Sequence, residues 1–112
     1  MGLGIVEHQA LYITNCGNAS PAITKQYGAQ TWTISDGDQT GECVVDFGSM
    51  TLAAETDIIC TCSVTNQSAV GANDHFCNIE NTTTTTLDIQ VMNGTAAIDN
   101  EEVNLICMYE DT

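Results

Sequence analysis

Four residues of this chain combine side-chain types and spacing that invite a metal. Cys60 and Cys62 bracket one threonine in "DIICTCSV", and "HFC" places His75 and Cys77 beyond an intervening loop. If these segments pair as antiparallel neighbours about a loop centred near residue 69, Cys60 faces Cys77 and Cys62 faces His75. Three cysteines and a histidine form a donor set suited to tetrahedral zinc. Structural zinc sites, however, gather their ligand pairs on tight knuckles, whereas C-x-C on a regular strand spreads its side chains roughly 7 Å apart. Zinc is therefore the lesser expectation for this quartet.

A second constellation lies in "SDGDQTGE", where Asp36, Asp38 and Thr40 alternate ahead of Gly41 like the opening of a calcium loop. The glutamate that should close a twelve-residue loop is missing, because Phe47 stands there. A hairpin turn explains the Asp and Gly residues better, with weak calcium binding between acids of neighbouring subunits as the other use. No catalytic constellation is evident: His8 and His75 are far apart, and there is neither a nucleophile elbow nor a phosphate-binding glycine loop. The expectation is a protein that is not an enzyme and has no cofactor, calcium excepted.

The cysteines allow two further readings. Six in a short chain suit a disulfide framework, and four sequons, at Asn18, Asn66, Asn81 and Asn93, point the same way. Nine asparagines in a Ser/Thr-rich chain make nearly two sequons by chance, so their weight is small. Strand alternation groups Ile58, Cys60, Cys62 and Val64 on one face. It likewise groups Cys43 with Val45 and Phe47, Cys77 with Ile79, and Cys107 with Val103, Leu105 and Tyr109. Only Cys16, in "TNCGN", falls off an apolar face. Buried, reduced cysteines acting as small hydrophobes are the preferred reading, with one or two disulfides next. Counting free thiols separates the two.

The elements that must position these residues read as strands almost throughout. They are Thr31–Ile34, Glu42–Gly48, Thr56–Asn66, His75–Asn81, Thr84–Asn93 and Glu102–Tyr109, with "QSAVGAND" as a loop and Thr82–Thr86 as strand entry. Before them, "SPAITKQYG" offers Ser20 as N-cap, Pro21 at the first turn and Gly28 as terminator of one short helix. The expected fold is all-β: a single antiparallel β-sandwich of about six strands over residues 31–112. Residues 1–30 form an N-terminal arm in this reading, and Trp32 and Met108 are interface candidates.

The chain has 112 residues, enough for one core, and 43% are hydrophobic. One lysine, no arginine and fifteen acids give a net charge of −14. Such a surface repels phosphate backbones and anionic lipid, which argues against nucleic-acid and membrane partners. No apolar run approaches eighteen residues. "MGLGIVEHQALYITN" lacks the basic start and apolar core of a secretory leader. Whether Met1 is native or was added after a leader was removed stays open.

From Asp36 to Glu110 the order of features resembles a known small module. A Gly-flanked turn leads into "VVDFGSMTLAAETDIICTCSVTNQS"; a short strand, "IENTTTTTLDIQVMNG", a turn and a final "VNLICMYED" follow. This pattern is similar to the six-stranded sandwich of the H-type lectins and to modules at the tips of phage tail and head fibres. The resemblance implies a trimer that binds a surface or sugar and does no chemistry. One departure is that the turn before the last strand, "NGTAAIDN", lacks the aromatic side chain with which the lectins hold sugar. The expectation is a structural or adhesion module on a virion surface, as capsid decoration or fibre tip. Its partners would be its own copies, a capsid or tail protein, and a host surface receptor. The alternative is a secreted, disulfide-bonded lectin or effector that binds a glycan or protein receptor.

Overall fold

The computed structural model describes residues 5–48, 50, 52–65, 75–93, 96–97 and 101–110. Among them the chain is all-β, with two antiparallel sheets of four strands each and a two-residue strand added to the second. The strands are β1 (Val6–Cys16), β2 (Ala22–Gly28), β3 (Thr33–Asp36), β4 (Glu42–Asp46), β5 (Ile58–Thr65), β6 (His75–Glu80), β7 (Thr86–Asn93), β8 (Ala96–Ala97) and β9 (Glu101–Glu110). The first sheet runs β2-β1-β9-β5. The second runs β3-β4-β7-β6, with β8 on β7. Among the described residues no helix is long and apolar enough to cross a membrane.

About six strands were expected, and the two unforeseen long ones both lie before residue 30. β1 sits inside the first sheet between β2 and β9, so residues 6–28 of the expected arm belong to the folded layers. The helix expected from Ser20 to Gly28 is instead edge strand β2. Ser20 and Pro21 fit the turn after β1 equally well, and the β-branched Ile23 and Thr24 favour a strand. The threonine run also differs in detail, because β7 begins only at Thr86. The Thr83 hydroxyl accepts from the Thr85 and Thr86 amides at 3.1 and 2.9 Å, and this bends the chain at 84–85 ahead of the strand.

One core fills the space between the sheets. Leu11, Ile13, Val103, Leu105 and Tyr109 come from the first sheet, and Val45, Leu87, Ile89 and Val91 from the second. Alternation predicts the inward faces of β4, β5 and β9 correctly. Trp32 joins this core at 1% exposure, with ring centroids 5.4 Å from Phe47 and 6.1 Å from Tyr109. It is thus a core anchor and not the interface residue expected. It was misplaced because Trp serves both roles and only neighbours decide.

The link from β2 to β3 is held by two glutamine side chains. Gln9 is buried; its Oε1 accepts from the Gln30 amide at 3.3 Å and its Nε2 donates to the Gln30 carbonyl at 2.6 Å. Gln26 repeats the pattern one step on, accepting from the Trp32 amide at 3.1 Å and donating to the Trp32 carbonyl at 3.3 Å. Gln9 Nε2 also reaches Gln26 Oε1 at 3.2 Å. Each carboxamide stands in for a strand partner, bonding both the N–H and the C=O of one residue in the crossover. Room for Gln9 comes from Gly28, its cross-strand partner: with φ of +132°, a Cβ there would overlap the Gln9 carboxamide.

All six cysteines are oxidised, as Cys16–Cys43, Cys60–Cys107 and Cys62–Cys77. The preferred expectation of reduced core thiols is therefore corrected. Cys16 is buried at the end of β1 and reaches β4 across the core, although its sequence context suggested a loop. Cys60 reaches sideways to its direct cross-strand neighbour on β9, and Cys62 reaches across to β6 in the other sheet.

Two stability measurements test these ties. The Cys62→Ser/Cys77→Ser variant should lose about 3 kcal/mol, the chain-entropy value for a closed loop of this size, in chemical unfolding. Gln9→Leu should lose about 2 kcal/mol by removing both hydrogen bonds to the Gln30 backbone. An unchanged denaturation midpoint in either variant would remove that tie from the account.

Candidate binding face

The two outer faces of the molecule differ in chemistry. On the second sheet the outward positions are mostly polar: Thr33 and Ser35 on β3, Asp46 on β4, Asp88 and Gln90 on β7, and Asn78 and Glu80 on β6. Its exposed aromatic, Phe76, lies opposite Met92 at one end.

The first sheet presents rows fixed by register. One row reads Tyr27, Ala10, Ile106 and Thr61 across β2, β1, β9 and β5. The next in one direction is His8, Met108 and Ile59, with Val6 beyond; in the other direction it is Lys25, Tyr12, Asn104 and Ser63. Five large apolar side chains of this face stand in solvent: Ile59 is 65% exposed, Tyr27 62%, Ile106 54%, Val6 53% and Met108 43%. Scattered apolar side chains need no explanation, but neighbours in register form a patch of the kind that marks an interaction surface.

Two hollows dent this patch. The larger, about 370 Å3, is lined by Ala10, Tyr12, Lys25, Tyr27, Asn104 and Ile106, among others. Lys25, the only Lys or Arg of the chain, stands there with Nζ 5.8 Å from the Tyr27 ring centroid. The Tyr12 hydroxyl donates to Glu102 at 2.9 Å and accepts from Thr65 at 3.2 Å, which fixes one wall. The smaller hollow, about 180 Å3, has Val6, Ile59 and Met108 as apolar walls and Asp57 and Glu110 as its acids.

The residues expected to hold metals lie elsewhere. Cys60, Cys62 and Cys77 are committed to disulfides, and a disulfide sulfur is no longer a thiolate ligand. The register assumed for zinc also fails, because β5 pairs with β9 and belongs to the sheet opposite β6 and His75. Asp36, Asp38 and Thr40 lie in the hairpin between β3 and β4. There the Glu42 carboxylate accepts from the Asp38 amide at 2.9 Å, and the Thr40 carbonyl accepts from Gln90 at 3.1 Å. Among the described residues no group of three His, Cys, Asp or Glu side chains could hold a metal ion. His8 and His75 stand on different sheets. Met108 lies on the exposed patch. The loop 67–74 and most of the turn 93–100, the turn before the last strand, lie outside the described residues.

Tyr27, Ile59 and Ile106 escaped the sequence reading, yet β9 carried a signal. Its apolar residues occupy both parities, with Val103, Leu105 and Cys107 on one and Ile106 and Met108 on the other. A strand with one wet face does not need the second set. Comparison with protein-family models, with curated proteins and with solved structures found no match.

If the patch serves binding and not folding, its residues are dispensable for stability. Ile59→Thr and Ile106→Thr should each shift the unfolding free energy by less than about 0.5 kcal/mol, as exposed substitutions do. A loss of several times that amount would show that the fold needs the patch.

Proposed function

We propose that this chain is a non-enzymatic binding module of an oxidising, extracellular setting, a disulfide-bonded β-sandwich that meets its partner with the outer face of the first sheet. The observation that carries this reading is the register-aligned patch of exposed Tyr27, Ile59, Ile106 and Met108 on a chain of net charge −14. Three disulfides favour the secreted form of the reading, because such bonds persist outside the reducing cytosol. The resemblance to H-type lectins and fibre modules agrees with binding without chemistry.

A second reading is a structural or adhesion module on a virion surface, trimeric and seated on a capsid or tail protein. The same patch favours it, since subunits of a shell or fibre cover such faces with their neighbours. Sedimentation separates the two: a monomer at micromolar concentration supports the secreted module, and a trimer the virion one.

The binding reading itself is tested with oxidised protein on arrays of extracellular proteins and glycans. Wild type should be retained on at least one class of spot, and Ile59→Asp/Ile106→Asp should lose that retention while keeping its thermal midpoint. Equal retention of both proteins would overturn the assignment of the face.

A further inference from the structure

The patch has a chemistry specific enough to describe its occupant, an inference that rests on the face assigned above. We propose that the occupant is a cationic protein surface, which seats an arginine or lysine side chain in the hollow between Asp57 and Glu110 and an apolar side chain beside Tyr27.

Three observations argue for this partner. The smaller hollow, about 180 Å3, falls below the ~300 Å3 at which pockets begin to enclose whole small ligands, so it suits one side chain. Its make-up matches a long basic residue: Val6, Ile59 and Met108 for an aliphatic stem, Asp57 and Glu110 for the cationic head. Asp57 is held in place, since its carboxylate accepts from the Ala54 amide at 3.1 Å in the 3-10 turn Glu55–Asp57.

The second hollow lies beside the first along β9. Ile106 borders one and Met108 the other, so the two seats are separated by about two residues of strand, roughly 7 Å. An apolar anchor beside a basic one is the usual composition of the few residues that dominate a protein interface.

Charge selects among occupants. The chain carries −14, so a positive partner is drawn to it over distance, while a second copy brings another −14 and one lysine. Self-pairing through this face therefore meets repulsion that a basic partner converts into attraction.

The probe is N-acetyl-arginine amide, with N-acetyl-glutamine amide and N-acetylglucosamine as controls, titrated into methyl-labelled oxidised protein at low salt. The expected result is a saturable shift of the Ile59 and Met108 methyls with the arginine compound alone. The affinity should fall roughly tenfold in Asp57→Asn/Glu110→Gln, a change of about 1.4 kcal/mol for losing both carboxylate charges, and it should also fall as salt rises. The carboxamide that replaces the Asp57 carboxylate keeps an acceptor for the Ala54 amide, so this variant retains the turn. Equal shifts from arginine and glutamine compounds, a response to the sugar alone, or no response would overturn the proposal. So would concentration-dependent dimerisation that buries the same methyls. If the array experiment still shows loss in the Ile59→Asp/Ile106→Asp protein, the face stands and only the cationic partner falls.

Discussion

Strand β5 is the piece of this fold on which the others depend, and two covalent bonds decide where it lies. It is an edge strand of the first sheet, bonded through its backbone to β9 alone among the described strands. Such a strand frays readily, and a chain with fourteen net negative charges pushes its surface segments apart. Cys60 ties β5 to β9 and Cys62 ties it to β6 on the opposite layer. Because the two cysteines are separated by one residue, both point inward, and two successive inward positions lock the strand in two directions. Cys16–Cys43 adds one further tie between the layers, from β1 to β4. The layers are thereby held at the separation that lets Trp32, Phe47 and Tyr109 pack together.

That lock also sets what the outer face of the first sheet presents to solvent. Register between β5 and β9 is fixed by Cys60 opposite Cys107, so Ile59 must stand beside Met108 and Thr61 beside Ile106. A slip of one residue would turn the patch inward and the cysteines outward. Core bonds and surface patch are thus two consequences of one register. Opposite it, the second sheet turns polar side chains outward along most of its width, so the two outer faces differ in polarity.

Much of the inward pattern was legible in the sequence, because period-two alternation is a direct readout of a half-buried strand. Positions 58, 60, 62 and 64 and positions 103, 105, 107 and 109 are the clearest cases. β1 was not legible as a strand because Gln9 occupies an inward position, and a polar residue there breaks the pattern. Only the space left by Gly28 and the Gln30 backbone, neither of them local, make that glutamine a sensible core residue. Oxidation was equally hidden: an inward cysteine looks the same whether it packs as a thiol or reaches a partner on another strand. Pairing is a property of the tertiary arrangement, and the assumed adjacency of β5 and β6 within one sheet pointed to the wrong partners. The exposed apolar patch left a trace in the double parity of β9, but its extent required the order of strands β2-β1-β9-β5.

The pairing of the cysteines tests the account most directly, since register, core and exposed face all follow from it. Partial reduction at acidic pH with stepwise alkylation, followed by fragmentation of the intact chain, resolves bonds even where Cys60 and Cys62 are separated by one residue. The predicted map is Cys16–Cys43, Cys60–Cys107 and Cys62–Cys77, with no free thiol. A bond between Cys60 and Cys77, or free thiols at 60 and 62, would place β5 elsewhere and contradict the register that sets the exposed face.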